Sequence, residues 1–344
     1  MKAMALTGIR KMALIDIPEP TITNPTDVLL QILQVGVCGS DVHYYTTGRI
    51  GSMVVEFPFV LGHECAARVI EVGSAVQRVK VGDEVAVDPA MPCHQCDQCR
   101  AGRENTCRNL RFLGCPGQAA GCLAERIVMP EKCLFPVTDR LSVDEAVISE
   151  PLAIGVYAVQ QSALAAGHDA AVLGAGPVGL SVLMAARSVR SGQLYATDKI
   201  DPRLNAARAA GASWTGNPLR EDIVAAILEA QPAGMDVVYE CAGQQDTLDQ
   251  AVDLLKPGGK LMLIGIPEIE RVSFVIDKMR RKELSVVNVR RQNQCVDATL
   301  ELLRRPDIDA TFMVTHRFEL AQAVEAFDLV ASYADGVVKA MIQF

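Results

Sequence analysis

A chain of 344 residues, 50% hydrophobic and 22% charged, has the composition of a soluble globular protein and the length for two domains, each with its own core. Its net charge of −8 argues against a general nucleic-acid binder, which needs a basic face. The longest uncharged apolar run, 170–186, is short of a bilayer span of about 20 residues and holds three glycines and a proline, so no membrane partner is expected.

The first 150 residues read as a compact, irregular β domain, with strands expected over 28–33, 66–73 and 81–87 between Gly, Pro and Asp punctuation. Residues 1–10 show neither a long apolar core nor a small-residue cleavage pattern. With eleven cysteines, an odd number, this predicts a cytoplasmic protein without disulfides, whose cysteines bind metal or stay free.

Metal-capable residues are scattered through this part: Cys38 in Cys38-Gly39-Ser40-Asp41-Val42-His43, His63 and Glu64 in Gly62-His63-Glu64, and Glu150 before Pro151. The set is sparse and mixed in ligand type, as an open catalytic zinc site with about three protein ligands requires. Taken singly, His63 reads as a packed core histidine, Glu64 as a surface carboxylate and Cys38 as a small buried hydrophobe. Spacing alone does not bring the segments together. Cys93, Cys96, Cys99 and Cys107 form a dense all-sulfur quartet in a polar loop, the pattern of a closed structural zinc site.

From about residue 150 the texture changes to alternating short apolar strands and alanine-rich helices: strands at 170–173, 193–197, 236–240, 260–264 and 283–289, helices at 177–189, 203–210 and 248–255. This βαβ alternation predicts a doubly wound parallel sheet covered by helices on both faces. Gly174-Ala175-Gly176-Pro177-Val178-Gly179 follows the first strand and opens the first helix. In that context a GxGxxG is a dinucleotide fingerprint: Gly174 for the tight turn, Gly176 for backbone approach to a pyrophosphate, Gly179 for close packing. Asp198 ends the next strand where it can bind the adenosine ribose hydroxyls, favouring NAD over NADP, with Lys199 and Arg203 nearby. The segment 290–344 breaks the pattern, with helices near 298–304 and 320–329 and a strand at 337–342, and is expected to return to the first domain. The expected domains are therefore 1–150 with 290–344, and 151–289.

These motifs together resemble the zinc-containing medium-chain alcohol dehydrogenases, and within them the sorbitol (polyol) dehydrogenases. The resemblance rests on residues 37–45, Gly48-Arg49-Ile50-Gly51, Val60-Leu61-Gly62-His63-Glu64, Glu150-Pro151-Leu152, the glycine fingerprint and Val314-Thr315-His316-Arg317-Phe318. It implies an α/β protein with a GroES-like β-rich catalytic domain and a Rossmann domain, two zinc ions per subunit, NAD, a small polyol substrate and a homotetramer. It implies that Cys38, His63 and Glu64 ligate the catalytic zinc, that Glu150 is either a fourth ligand or holds a water there, and that Asp41 orients His63. The implied reaction oxidises a secondary alcohol to a ketone, with hydride passing to the nicotinamide and Ser40 and His43 relaying the proton. The implied substrate pocket includes Tyr44, Tyr45, Phe112, Cys115 and Arg290. Cys115 replaces a hydroxyl-bearing residue and 289–293 departs from an aromatic-rich version, so xylitol, arabinitol and cyclic polyols stand beside sorbitol, with butanediol, threonine or sugar-phosphate substrates as alternatives.

Overall fold

The computed structural model describes residues 1–137, 141–267 and 269–344. It forms two compact units, Met1–Glu150 with Leu303–Phe344, and Pro151–Leu302.

In the first unit, the strand Asp27–Gly36 is the centre of a seven-stranded sheet. It pairs antiparallel with Glu64–Val72, with Lys339–Gln343 and with Arg126–Pro130. Its burial on both faces suits a run of Val, Leu and Ile, since β-branched and aliphatic side chains fill a pleated surface from either side. Leu30, Ile32, Ala67, Val69, Leu123, Phe327 and Ile342 belong to one core. The C-terminal strand thus completes the sheet begun by the N-terminal strands, as expected from the broken pattern near the end of the chain. The sequence reading missed the hairpin Lys2–Gly8 with Lys11–Asp16 and the strand Val314–Glu319.

The second unit is a six-stranded, wholly parallel sheet in the order Trp214–Gly216, Leu194–Thr197, Ala170–Leu173, Met235–Glu240, Leu255–Leu263, Ser285–Asn288. The first three strands run outward one way and the last three the other, so the winding reverses beside Ala170–Leu173, where doubly wound sheets bind ligands. Ala171, Leu173, Ile227, Val238 and Leu261 are buried in its core. Residues 256–259, ahead of the strand expected at 260–264, already lie inside the strand Leu255–Leu263, where Gly258 has φ +78° and the pairing with Met235–Glu240 shifts register.

The boundary expected at 289/290 is corrected to Leu302. The segment after the last parallel strand stays with this unit because Gln292 caps the Cys295 amide at 2.8 Å, Cys295 meets Gln160 at 3.4 Å, and Thr299 and Leu300 of helix Val296–Leu303 are buried.

Candidate metal and dinucleotide sites

The strand Asp27–Gly36 gives way to a helix, Gly39–Thr47, with Cys38 as its N-cap residue in extended conformation. Gly62 turns the chain at φ +95°, where a side chain would be strained and would crowd Cys122 and Leu123, and sets Glu64 at the start of the strand Glu64–Val72 with His63 just before it. The Cys38 sulfur, a His63 ring nitrogen and a Glu64 carboxylate oxygen all lie within 4.8 Å of one another. Glu64 is 1% exposed and His63 6%.

Asp41 Oδ1 stands 3.3 Å from His63 Nδ1 and accepts the Gly62 amide, also at 3.3 Å. Engaging Nδ1 orients the ring and leaves Nε2 for a metal. The Phe112 ring lies 5.4 Å from the His63 ring, tilted by 54°. Burial alone would push the His63 pKa down, but the charges of Asp41 and Cys38 carry it well above its ordinary value. The negative charges of Asp41 and Cys38 thus favour positive charge in this pocket, which a divalent cation would supply.

Glu150 lies on the helix Val143–Ser162. It is 8% exposed, and its Oε2 is buried with no hydrogen-bond partner. Burial pushes its pKa up to about 7; His63 opposes this, Glu64 adds to it and Lys339 opposes it. An orphaned buried carboxylate oxygen within electrostatic reach of His63 and Glu64 is what a bound metal or its water would satisfy. Glu150 stands outside the clustered three.

Ser40 lies within the helix and donates to Cys38 Sγ at 3.3 Å, so it does not serve as the helix cap. His43 is half-buried on the same helix. Tyr45 needs correction as a pocket residue: its hydroxyl donates to Asp328 Oδ1 at 3.0 Å and its ring packs on Phe327 at 5.3 Å. The neighbouring Tyr44 instead sets its hydroxyl 3.9 Å from Cys115 Sγ. Phe112 and Cys115 are buried, whereas Arg290 is exposed and belongs to the second unit.

Lys339 was not foreseen. It is 1% exposed, donating to Glu64 Oε2 at 2.5 Å and to the Val37 carbonyl at 3.3 Å. A lysine amid Val337, Val338, Ala340, Met341 and Ile342 was its only mark in the sequence.

The quartet Cys93, Cys96, Cys99 and Cys107 also brings its four sulfurs within 4.8 Å of one another. The Cys93 amide donates to Cys107 Sγ at 3.2 Å and the Asn109 amide at 3.4 Å. Backbone amides of Cys99 and Arg108 pull the Cys96 thiol down to about 6, while desolvation and then the neighbouring Cys96 push Cys99 up to about 12. Four converging sulfurs leave no open position for substrate.

In the second unit, Gly174 has φ +101° and would press any side chain against the Ala242 amide. A side chain at Gly179 would overlap the Gly174 carbonyl oxygen. The helix Pro177–Ser188 begins with Pro177 and Val178 half-buried and no side chain capping its free amides, which leaves them for a phosphate. Asp198 Oδ2 accepts the Ala175 amide at 2.8 Å and Oδ1 the Ile200 amide at 2.9 Å. Arg203, 9% exposed, brings Nη1 to within 3.6 Å of the place a side chain at Gly176 would take.

Residues 24–139 match the family described as alcohol dehydrogenase GroES-like domain, and residues 177–305 the family described as zinc-binding dehydrogenase. The sorbitol dehydrogenase of Bacillus subtilis (strain 168) is 35% identical over 343 residues, covering 99% of this chain and 97% of that one. The L-idonate 5-dehydrogenase of Vitis vinifera is 34% identical over 334 residues, covering 95% and 90%. Among solved structures, an Escherichia coli oxidoreductase/dehydrogenase of unknown specificity superposes with a TM-score of 0.93 at 29% identity, covering 99% of this chain and 98% of that one.

Proposed function

This chain belongs to the zinc-binding dehydrogenase family, and on that premise we propose that it oxidises a secondary alcohol of a polyol to the ketose, as a sorbitol dehydrogenase does, with NAD as the hydride acceptor. The observation that carries the reading is the meeting of Cys38, His63 and Glu64 within 4.8 Å beside the unpartnered Oε2 of Glu150. Bound by these residues, with Glu150 as a fourth ligand or reached through water, zinc would supply the positive charge that makes a hydroxyl acidic, and NAD the acceptor of its hydride.

The chain's own residues supply orientation and proton transfer. Asp41 fixes the His63 ring. Ser40, directed at the Cys38 sulfur, takes up the hydroxyl proton, and His43, further along the same helix and partly exposed, passes it toward solvent. Tyr44, Phe112 and Cys115 form the substrate wall around His63. The fingerprint Gly174, Gly176, Pro177, Val178 and Gly179 receives the pyrophosphate, with Arg203 adding charge and Asp198 binding the ribose. Cys93, Cys96, Cys99 and Cys107 hold a second, structural zinc.

The exposed edge strand Ser285–Asn288, with Val286 on it and Ile266, Ile269, Val275 and Ile276 exposed in the preceding segment, supports self-association, which we read as a homotetramer. All eleven cysteines are unpaired, in keeping with a reducing cytoplasm.

A short diol such as butanediol is the second reading, favoured by the weakly polar wall of Phe112 and Cys115. A panel of sorbitol, xylitol, arabinitol, butanediol and a sugar-alcohol phosphate, with NAD and with NADP, separates the readings by kcat/KM. Highest kcat/KM for a five- or six-carbon sugar alcohol with NAD is expected; highest kcat/KM for butanediol would favour the second reading. A metal-replete protein inert toward all of them would overturn the enzymatic reading.

A further inference from the structure

The strand Met235–Glu240 ends in a buried carboxylate, Glu240, 2% exposed. Its Oε1 accepts the Ala242 amide at 2.8 Å, the Gly243 amide at 2.7 Å and the Thr247 hydroxyl at 2.8 Å. Two successive amides turn inward onto one oxygen, with Gly243 at φ +70°; such convergence is that of a backbone nest, which elsewhere holds an anion. Burial pushes the Glu240 carboxyl up, and the Thr247 hydroxyl and the Gly243 and Ala242 amides oppose it. An apolar residue would end this strand at no desolvation cost, but it would leave both amides without their acceptor. Residues 241–244, which these bonds shape, are also fixed on both flanks. The Cys241 amide donates to the Leu173 carbonyl at 2.8 Å, and Ala242 lies against Gly174, the first glycine of the fingerprint. On the other flank the Glu240 carbonyl accepts the Ile264 and Gly265 amides at 2.9 and 3.0 Å, and a side chain at Gly265 would overlap the Gly243 amide.

Asp198 follows the strand on one side of Ala170–Leu173, and Glu240 ends the strand on the other. With the adenosine ribose at Asp198 and the pyrophosphate at the fingerprint, the nicotinamide half is left the side of the crevice that residues 241–244 border. We propose that Glu240 is a positioning residue for the nicotinamide half of the dinucleotide: it acts through residues 241–244, whose backbone it holds in the shape that this half meets. This rests on the reading of Gly174, Gly176 and Gly179 as a dinucleotide site.

The test is equilibrium binding of NAD and of AMP, which carries only the adenosine half, to the full-length protein. Glu240→Met, of similar length but with no acceptor for the amides, should weaken NAD by about tenfold and leave AMP within about twofold. AMP binding also counts the folded sites, so a loss confined to NAD is not a loss of fold. Glu240→Gln keeps an acceptor oxygen and should bind NAD within about threefold of the natural protein. Glu240→Asp, whose carboxylate is drawn back by one methylene, replaces Glu240→Met should the latter not fold, and must also weaken NAD while sparing AMP. A natural protein that binds neither NAD nor AMP overturns the dinucleotide reading and the role of Glu240 with it. Where the natural protein binds both, three results overturn the role of Glu240 and leave the dinucleotide site standing: unchanged NAD affinity in Glu240→Met, an equal loss for NAD and AMP, or a Glu240→Gln protein that behaves as Glu240→Met.

Discussion

The Tyr45 hydroxyl donates to Asp328 Oδ1 at 3.0 Å, tying the helix that follows Cys38 to the helix Ala323–Ser332 near the C-terminus. Tyr44, one residue earlier, faces Cys115. Successive helical residues point about 100° apart, so only one of the two can face the wall around His63. Tyr45→Phe should therefore lower stability by about 1 kcal/mol, the worth of a partly buried hydrogen bond, and leave KM for the alcohol unchanged. Tyr44→Phe should do the reverse, altering KM with little effect on the thermal midpoint. A KM change in Tyr45→Phe matching that of Tyr44→Phe would restore Tyr45 to the pocket.

The same pair shows where sequence reasoning stopped. The donor types at Cys38, His63 and Glu64 were visible in the chain, but their convergence depends on the pairing of Gly36 with Glu64, which no spacing rule reports. Lys339 is 275 residues from Glu64 and looks like an ordinary charge in an apolar strand until the sheet is assembled. The dinucleotide unit was far more legible, because the strand-turn-helix signature of Gly174–Gly179 and the βαβ rhythm are local. Its end was misplaced because the helix Val296–Leu303 has an amphipathic pattern that either unit could bury. The quartet was legible in full, since four ligands within fifteen residues need no distant strand to bring them together.

That quartet makes a prediction of its own. At neutral pH Cys96, drawn down to about 6, is already a thiolate, whereas Cys99, pushed up to about 12, holds its proton until a metal displaces it. Zinc uptake at pH 7.5 should release protons, measurable with a weakly buffered indicator, and zinc affinity should weaken as pH falls, because protons compete with the metal for the thiolates. Cys99→Ser should lower the thermal midpoint by several degrees and bound zinc by about one ion per chain. Unchanged zinc content in Cys99→Ser would remove the structural site.

Cofactor choice should turn on the charge of Asp198. Its two oxygens already hold the Ala175 and Ile200 amides, so alanine would also loosen the turn beside the fingerprint. Asn removes the charge and keeps an acceptor for one of the two amides, giving up the hydrogen bond to the other. Asp198→Asn should lower the NAD-to-NADP ratio of kcat/KM by about tenfold, through relief of repulsion toward a 2′-phosphate and a weaker bond to the ribose. An unchanged ratio would place the discrimination elsewhere, with Lys199 and Arg203 the next residues to vary.

Acid stability should depend on Asp144, which opens the long helix Val143–Ser162. Arg317 donates to both of its oxygens, and Gln34 Nε2 donates to Oδ1 at 2.7 Å. These contacts link the start of the helix to the strand Val314–Glu319 and to the central strand Asp27–Gly36. The Arg317 guanidinium chiefly holds the Asp144 carboxyl below the usual carboxylate range; burial opposes it, and Gln34 adds a smaller lowering. A carboxylate depressed in the folded state contributes stability that is fully present above its unfolded pKa, about 4, and is lost as pH falls through the folded value. With Asp144 17% and Arg317 45% exposed, solvent screening limits the pair to about 1 kcal/mol. Asp144→Asn should therefore lower the thermal midpoint by a few degrees at pH 7, and its deficit should shrink steadily below pH 4 as the natural side chain protonates too. Midpoints of the two proteins followed from pH 7 to pH 3 check this. A deficit that stays constant across the range would mean that Asp144 acts through packing and its hydrogen bond to Gln34, without a contribution from its charge.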